Sequence, residues 1–421
     1  MVTDAPPVLE ALSPANSAVE TPFSGRLSNP VYRVPEQPSG YSVTVYSLTD
    51  LVFQQLLQNK GELWQDWQQL WVRLNPRERD CSSHPAWLTA WLTHFGQRGQ
   101  DVRLFVVRQG SRLVSVVPME VVWNNRRWLL PQCHLVARAD SPLEGGSLAV
   151  RESDRSGTLK AILDCPLFPR DTRATNGNCI FPQFLRFEQV DGTHHLRSET
   201  NLPIEEEPVR PRAEMRVPAN FAELTPRLST SLRKSLKRGK SKMAIGESKI
   251  DNCHGADLHW GLNRLATLES NSWKGEQRTD LLADRPLYQF FGSVLDNLPA
   301  SGSAVVRVLT FQGRDVAAQL GLRFGATLHL HKIGYDQEVH MLSPGSVLMA
   351  DTLTDYAVRE GIEAVNLVTY QSWNDAWGPE LKPTFMVDVF PSGLRGSLAA
   401  LRAVRVKTRI KRLLHHWNAL R

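Results

Sequence analysis

The stretch that decides the fold is ATLHLHKIGYDQEVHMLSPGSVL, residues 326–348, because it joins an alternating segment to the start of a helix. Apolar and polar side chains alternate along its first ten residues, which predicts a strand whose two faces differ. One face carries Leu328, Leu330 and Lys332, and the other carries His329, His331, Ile333 and Tyr335.

The second part of this stretch predicts a helix with an accessible first turn. Ser343 is a good N-cap residue, Pro344 suits the first helical position, and Gly345 and Ser346 follow with small side chains. The helix should end near Gly361, before the apolar run IEAVNLV returns as a strand. Amides at such a helix start can bind an anion, although a well-capped helix without a ligand explains the same pattern.

A second pattern indicates that the chain contains two similar halves. A helix, a strand, a Gln-Gly turn and a strand follow one another in HPAWLTAWLTHFG and VRLFVVRQGSRLVSVVPM. The same order returns about two hundred residues later in DRPLYQFFGSVLDNL and VVRVLTFQGRDVAAQLGLRF. Duplication explains this recurrence, but hairpins that follow helices are also common by themselves.

Composition and charge limit the possible classes of protein. The chain has 421 residues and 42% hydrophobic content, which predicts two globular domains. No apolar run is long enough to span a bilayer, and the five scattered cysteines form no CxxC pair, so we expect a cytoplasmic protein without a disulfide framework or a zinc site. Eight Lys and Arg residues follow the last acidic residue, Asp388. Since the net charge of the chain is +6, the residues up to Asp388 carry a net charge of about −2. Nucleic-acid binding by the whole surface is therefore not expected.

The same features predict the order of segments along the chain. A Pro- and Ser-rich tail without periodicity is expected to be disordered, and the last segment is predicted to be a basic amphipathic helix. The predicted segments are a tail at 1–40, a first half at 41–200, a linker at 201–218, a second half at 219–392 and the basic helix at 393–421.

The order and spacing of several motifs resemble a known family. ESNSWKG, the 326–348 stretch and the paired Gln-Gly hairpins, over residues of about 45–390, are similar to CelD/BcsL-type acetyltransferases of the GNAT superfamily. Those proteins are distantly similar to the Fem peptidyltransferases. The resemblance implies an α/β fold with mixed sheets and two tandem GNAT-like acyltransferase domains, the second of which binds the acyl donor.

The resemblance also implies a donor and a place for it. Acyl-CoA would be the co-substrate, with no metal, and its pantetheine arm would enter where one strand splays from its neighbour. Its pyrophosphate would bind at the helix start, at Leu342, Ser343, Pro344, Gly345 and Ser346.

The ESNSWKG segment supplies candidates for catalysis and for acceptor binding. Glu269 ends a helical pattern and is either a general base or a cap of that turn. Lys274 either anchors a carboxylate or phosphate or is solvated, and Trp273 beside it is a candidate acceptor contact.

Further candidates lie on the strands of the second half. His331 and Tyr335 are candidate base and acid, and His329 is a candidate cleft residue, since no third residue at a suitable spacing completes a metal site with the histidines. Gln319 either binds a substrate amide or satisfies a buried backbone group. Tyr370 and Trp373 either line the acceptor cleft or belong to the core.

The predicted reaction is transfer of an acyl group, such as acetyl, to an amine of a sugar, an amino acid or a cell-envelope precursor, in the setting of exopolysaccharide or cellulose biosynthesis. Two alternatives remain open. One is Fem-like transfer from aminoacyl-tRNA, in which the basic stretch Arg233–Lys242 would follow phosphates. The other is a non-catalytic GNAT scaffold. The basic C-terminal helix either contacts an anionic inner membrane or an envelope-assembly partner, or docks on the body.

Overall fold

The computed structural model describes residues 32–34, 40–74, 83–96, 101–124, 132–137, 150–167, 179–191, 200–298 and 303–400. Within these residues the strands form two mixed sheets. The strands are β1 (Tyr32–Val34), β2 (Tyr41–Ser47), β3 (Val102–Gln109), β4 (Arg112–Asn124), β5 (Gln132–Ala137), β6 (Leu185–Asp191), β7 (Ile204–Pro208), β8 (Arg212–Arg216), β9 (Ser248–Cys253), β10 (Ala304–Phe311), β11 (Arg314–Phe324), β12 (Thr327–Tyr335), β13 (Ala364–Asn366), β14 (Glu380–Lys382) and β15 (Thr384–Val389).

The helices pack on the faces of these sheets. They are α1 (Leu51–Leu57), α2 (Glu62–Arg73), α3 (Pro85–His94), α4 (Glu152–Leu163), α5 (Phe221–Leu224), α6 (Thr230–Ile245), α7 (Leu258–Ser270), α8 (Trp273–Glu276), α9 (Arg285–Asn297), α10 (Pro344–Asp351) and α11 (Ala357–Arg359). A π-helical turn, Thr352–Tyr356, joins α10 to α11 without a break.

The two halves repeat one topology. In the first sheet β2, β3, β4 and β5 pair antiparallel in sequence, and β5 then pairs parallel with β6 across α4. In the second sheet β9, β10, β11 and β12 do the same, and β12 pairs parallel with β13 across α10. The predicted mixed α/β fold with two tandem GNAT-like halves is confirmed.

The segment 201–218, which was expected to be a linker, instead contains two strands. β7 pairs with β15 at the edge of the first sheet, and β8 lies between β13 and β14 in the second. β8 is held there by its buried residues Ala213 and Met215. The glutamates of β7 argued against a strand in the sequence, because charged residues are unusual in a buried strand. An edge strand such as β7 tolerates them.

The segment 219–392, which was expected to form the second half, also contains a strand of the first sheet. β15 follows the second half in sequence, but it completes the first sheet by pairing with β6 and β7. Arg186 of β6 donates to Asp388 of β15 at 2.7 and 2.8 Å, and Asp388 is 1% exposed. The chain therefore returns to its first half after completing the second.

A shared core joins the halves. Trp67, Trp87 and Trp91 of the first half pack with Phe290 and Phe291 of α9 in one buried cluster. The Trp87 and Phe290 rings meet edge to face with centroids 4.9 Å apart. Aromatic pairs of this kind stabilise by about 1 kcal/mol beyond the area that they bury.

The chain ends lie partly outside the described residues. Tyr32–Val34 pairs with β2, so this part of the predicted disordered tail is ordered because β2 offers it a free edge; the rest of the tail lies outside the described residues. Residues 393–400 are helical, and Ala399 docks against Phe184 and Phe390, whereas residues 401–421 of the predicted basic helix are not described. None of the helices in the described ranges is long and apolar enough to cross a membrane.

His84 makes the junction between the halves sensitive to pH. Its Nδ1 accepts a hydrogen bond from the Ala86 amide at 3.1 Å, and its ring packs between Trp71 and Phe324. Burial lowers the pKa of His84 from 6.5 to about 3. The unfolded chain therefore takes up a proton below pH 6.5 that the folded chain excludes.

We expect stability to be highest above pH 6.5 and to fall by about 1.4 kcal/mol for each pH unit between 6.5 and about 3 from this residue. His84→Asn keeps an N-cap acceptor that does not titrate, so urea unfolding of this variant should lose that part of the slope. An unchanged slope in the variant would show that His84 does not control the pH dependence.

Candidate functional site

A wedge opens in the second sheet where β12 and β13 separate. The two strands pair only between Thr327–His329 and Ala364–Asn366. β13 then ends, whereas β12 continues to Tyr335 with its other edge on β11. The backbone of β12 after His329 thus faces a gap rather than a strand, which is the splay that the resemblance implied.

A β-bulge in β12 changes which side chains face each side of the wedge. Leu320 pairs with Lys332 and Gly321 pairs with Leu330, so His331 is the extra residue. The expected alternation is therefore wrong beyond His331. A bulge reverses the alternation because two residues on one strand oppose one on its partner.

As a consequence, the two candidate catalytic residues of β12 lie on opposite faces. The His331 ring lies 4.8 Å from that of Trp87, on the face toward the first half, and Lys332 shares that face, with its Nζ 5.9 Å from the centroid of Phe291. Tyr335 instead lies on the face of α10, beside Gly345. His329 and His331 remain together, with parallel rings 6.3 Å apart.

The predicted helix start is present, with one difference at its cap. Ser343 precedes α10 in a left-handed conformation (φ 51°, ψ 49°), and its side chain makes no capping hydrogen bond. Its carbonyl accepts the first helical bond from Val347 at 3.0 Å. Gly345 and Ser346 are partly exposed, and amides in a first helical turn have no acceptor within the helix.

The basic helix α6 packs directly against this loop. Leu232, Leu236, Gly239 and Met243 form its buried face, as the leucine spacing predicted. A Cβ at Gly239 would lie only 2.2 Å from the Leu342 carbonyl oxygen, so α6 approaches the loop backbone as closely as a glycine allows. The exposed cations of α6 therefore lie on the helix that supports the loop: Arg233, Lys234, Lys237 and Arg238.

Glu269 and Lys274 form a buried pair next to β12. Glu269 lies in the last turn of α7 with none of its surface exposed, and its Oε1 accepts a hydrogen bond from Lys274 Nζ. Lys274 Nζ also donates to the Ile333 carbonyl of β12 at 2.9 Å. The pair thus connects the end of α7 to the strand that borders the wedge, and among the described residues Glu269 Oε2 has no hydrogen-bond partner.

Lys332 is the residue that sequence reasoning missed. Burial lowers its pKa, while the nearby Glu269 carboxylate opposes that shift. Lys332 lies on the face toward the first half because of the bulge at His331. The alternating sequence of β12 contains no glycine or proline at that point, so the sequence did not indicate the bulge.

The remaining candidates lie apart from the wedge backbone. Gln319 is fully buried and its Oε1 accepts from Thr352 at 2.7 Å, which favours its structural alternative over substrate binding. Tyr370 follows β13 and donates to Asp375 at 2.9 Å, and Trp373 is 48% exposed beside it. Trp273 lies in α8, next to Lys274.

Comparison with known proteins identifies the second half. Residues 227–409 match the family described as the acetyltransferase (GNAT) domain. The second half is thus similar to a GNAT domain. The matched residues include the wedge between β12 and β13 and the helix start at Ser343. No curated protein matched the sequence.

Solved structures show how far this fold extends along the chain. The crystal structure of FemX is 12% identical, covers 80% of this chain and 97% of its own, and superposes with a TM-score of 0.50. The C-terminal domain of a putative lysylphosphatidylglycerol synthetase from Agrobacterium fabrum is 12% identical, covers 81% of this chain and 96% of its own, and superposes with a TM-score of 0.46. At this identity the likeness to FemX shows the fold alone, but it includes both halves.

Proposed function

We propose that the protein transfers an acyl group from acyl-CoA to an amine. The observation that carries this proposal is the wedge beside β12, with the partly exposed first turn of α10 at one side of it. The pantetheine arm would lie along the unpaired edge of β12, and the amides of Gly345 and Ser346 would bind the pyrophosphate. The match to the GNAT domain supports this donor.

The two faces of β12 fit the two proton transfers of the reaction. The amine nitrogen forms a bond to the thioester carbon, and the bond from that carbon to sulfur breaks. His331, on the face toward the first half, would accept the proton from the amine, and Tyr335, on the face of α10, would donate one to the thiolate. Glu269 and Lys274 would hold β12 in place through the Ile333 carbonyl.

The acceptor would enter from the junction between the halves. His329, Trp273 and Lys274 are proposed to line its path, with Tyr370 and Trp373 at the far side of the wedge. The CelD/BcsL resemblance favours an amine on a sugar, an amino acid or an envelope precursor such as an exopolysaccharide unit, at the cytoplasmic side of the inner membrane. Contact with that membrane or with an assembly partner would use residues 393–421.

A second candidate donor is aminoacyl-tRNA. The observation that favours it is the exposed cationic face of α6, since this helix supports the donor loop at Gly239. A tRNA donor predicts binding that weakens steeply with salt, because phosphate contacts release counterions. Acyl-CoA binding should depend far less on salt.

Ser346→Asp tests the donor loop. An aspartate in the first turn of a helix is favourable for the fold, whereas its charge repels a pyrophosphate at the same amides. We expect unfolding temperature without donor to be unchanged or slightly higher, and acyl-CoA affinity to fall by at least about tenfold, or about 1.4 kcal/mol. Ser346→Asn, with the same shape and no charge, is the matched control.

Thermal unfolding with a panel of acyl-CoAs and with aminoacyl-tRNA measures the binding of both candidate donors. A donor at a hundredfold over its Kd should stabilise the native protein by about 2.7 kcal/mol. Stabilisation by acyl-CoA that Ser346→Asp lowers to about half or less and Ser346→Asn retains supports the proposal. Stabilisation by tRNA alone would favour the second donor, and no response to either would favour a non-catalytic scaffold.

A further inference from the structure

A cavity lies on the α10 face of the second sheet, and neither β12 nor β13 lines it. Its volume is about 610 Å³, within the usual range for small-molecule sites. Its walls come from the last turns of α6, from β9 and β10, and from the helix that runs from α10 to α11. Residues 342–346 do not line it, so it is separate from the proposed donor loop.

The carboxylates that line this cavity already have partners. Asp351 accepts from Arg307, which is 1% exposed, and Asp355 accepts from Arg359 at 2.9 Å. Arg307 also donates to Asn252 Oδ1 at 2.8 Å, so the oxygen of that amide is used as well. Among the described residues no hydrogen bond uses the amide nitrogen of Asn252 or the second terminal nitrogen of Arg359, so both can donate to a ligand.

Lys240 adds a half-buried cation to this cavity. Its Nζ lies 3.8 Å from the centroid of the Phe221 ring, and no carboxylate of the described residues is within ion-pair distance. Burial lowers the pKa of Lys240, and the nearby Asp351 only partly opposes this. A desolvated ammonium without an anionic partner is costly, so a bound anion would stabilise it.

The cavity wall also contains the π-helical turn Thr352–Tyr356. The turn includes Thr354 and Asp355, both of which line the cavity. Beneath it, Arg307 Nη1 donates to Thr352 Oγ1 at 2.5 Å, which fixes the wall to the sheet. π-Helical turns are rare and occur frequently at functional sites.

We propose that this cavity binds a small polyanion carrying phosphate or carboxylate groups, with Lys240 and Arg359 contacting its charges and Asn252 donating to it. Lys249 at the rim is paired with Asp251 at 2.6 Å, so it adds little to the positive potential. Three of the four lining cations have carboxylate partners, so Lys240 supplies the charge that an anion would neutralise. Binding here does not require that the donor loop is active.

Titration calorimetry of the full chain in 150 mM salt, with inorganic pyrophosphate and with citrate, tests the proposal. Lys240→Met keeps the apolar stem of the side chain and removes the charge. We expect at least one anion to bind the parent protein and to bind Lys240→Met about tenfold or more weakly. Tighter binding of pyrophosphate would assign a phosphate ligand, and tighter binding of citrate would assign a carboxylate ligand.

Two controls separate this cavity from other basic surface. Lys234→Met, on the exposed face of the same helix, should bind both anions as the parent does, and Ser346→Asp should retain the binding that Lys240→Met weakens, because residues 342–346 do not line the cavity. The proposal is overturned if neither anion binds, if Lys240→Met binds like the parent, or if Lys234→Met or Ser346→Asp weakens that binding as much as Lys240→Met does. Unfolding temperatures of all variants confirm that they are folded.

Discussion

Lys274→Met should lower the free energy of unfolding by about 3 kcal/mol, because it leaves the carboxylate of Glu269 buried without its cation. Glu269 has no exposed surface, and among the described residues its second oxygen already has no hydrogen-bond partner. The variant also removes the donor to the Ile333 carbonyl, so β12 loses this hydrogen bond to the segment that follows α7. We therefore expect a loss of stability together with a loss of transferase activity.

Urea unfolding with a matched control measures the effect. Lys382→Met removes a lysine from an exposed ion pair with Glu380 and should cost less than about 1 kcal/mol. The double variant Glu269→Gln with Lys274→Met removes the uncompensated charge and should recover much of the lost stability. If Lys274→Met costs no more than Lys382→Met, the buried pair does not have the structural role assigned to it.

Gly239→Ala should destabilise the protein, although alanine normally stabilises the interior of a helix by about 0.5–1 kcal/mol relative to glycine. The added Cβ would lie 2.2 Å from the Leu342 carbonyl oxygen, which is backbone and cannot rotate away. Helix α6 or the loop before α10 must then move. Overpacking of this kind costs about 1–3 kcal/mol, and the displaced loop should bind acyl-CoA more weakly.

Gly292→Ala is the matched control for this prediction. Gly292 lies in α9, where an added Cβ would meet His259 at an ordinary 3.6 Å. This variant should be as stable as the parent or more stable, with unchanged donor binding, in the same unfolding and binding measurements. Equal stability of the two alanine variants would show that α6 does not support the loop through Gly239.

Local patterns along the sequence predicted much of the second half. The leucine spacing of α6, the Gln-Gly hairpin of β10 and β11, and the helix start at Pro344 are all present. Each depends on residues close together in the chain, because turn residues, caps and periodicity act over a few positions. The repeated topology could be inferred for the same reason.

Contacts between distant segments could not be predicted in this way. β8 and β15 pair with strands that are far from them in sequence, and the sequence predicted neither of the two strands. The burial of Gln319 likewise depends on its hydrogen bond from Thr352. Glu269 is paired with Lys274, which also donates to Ile333 of β12.

The sequence by itself determined that a strand, a small-residue loop and a helix follow one another at residues 326–361, because these depend on local backbone preferences. The tertiary structure alone decided that β12 bulges at His331, so that His331 and Tyr335 lie on opposite faces of the wedge. A bulge arises from the pairing of β12 with β11, and pairing energy depends on a partner strand that no local pattern includes.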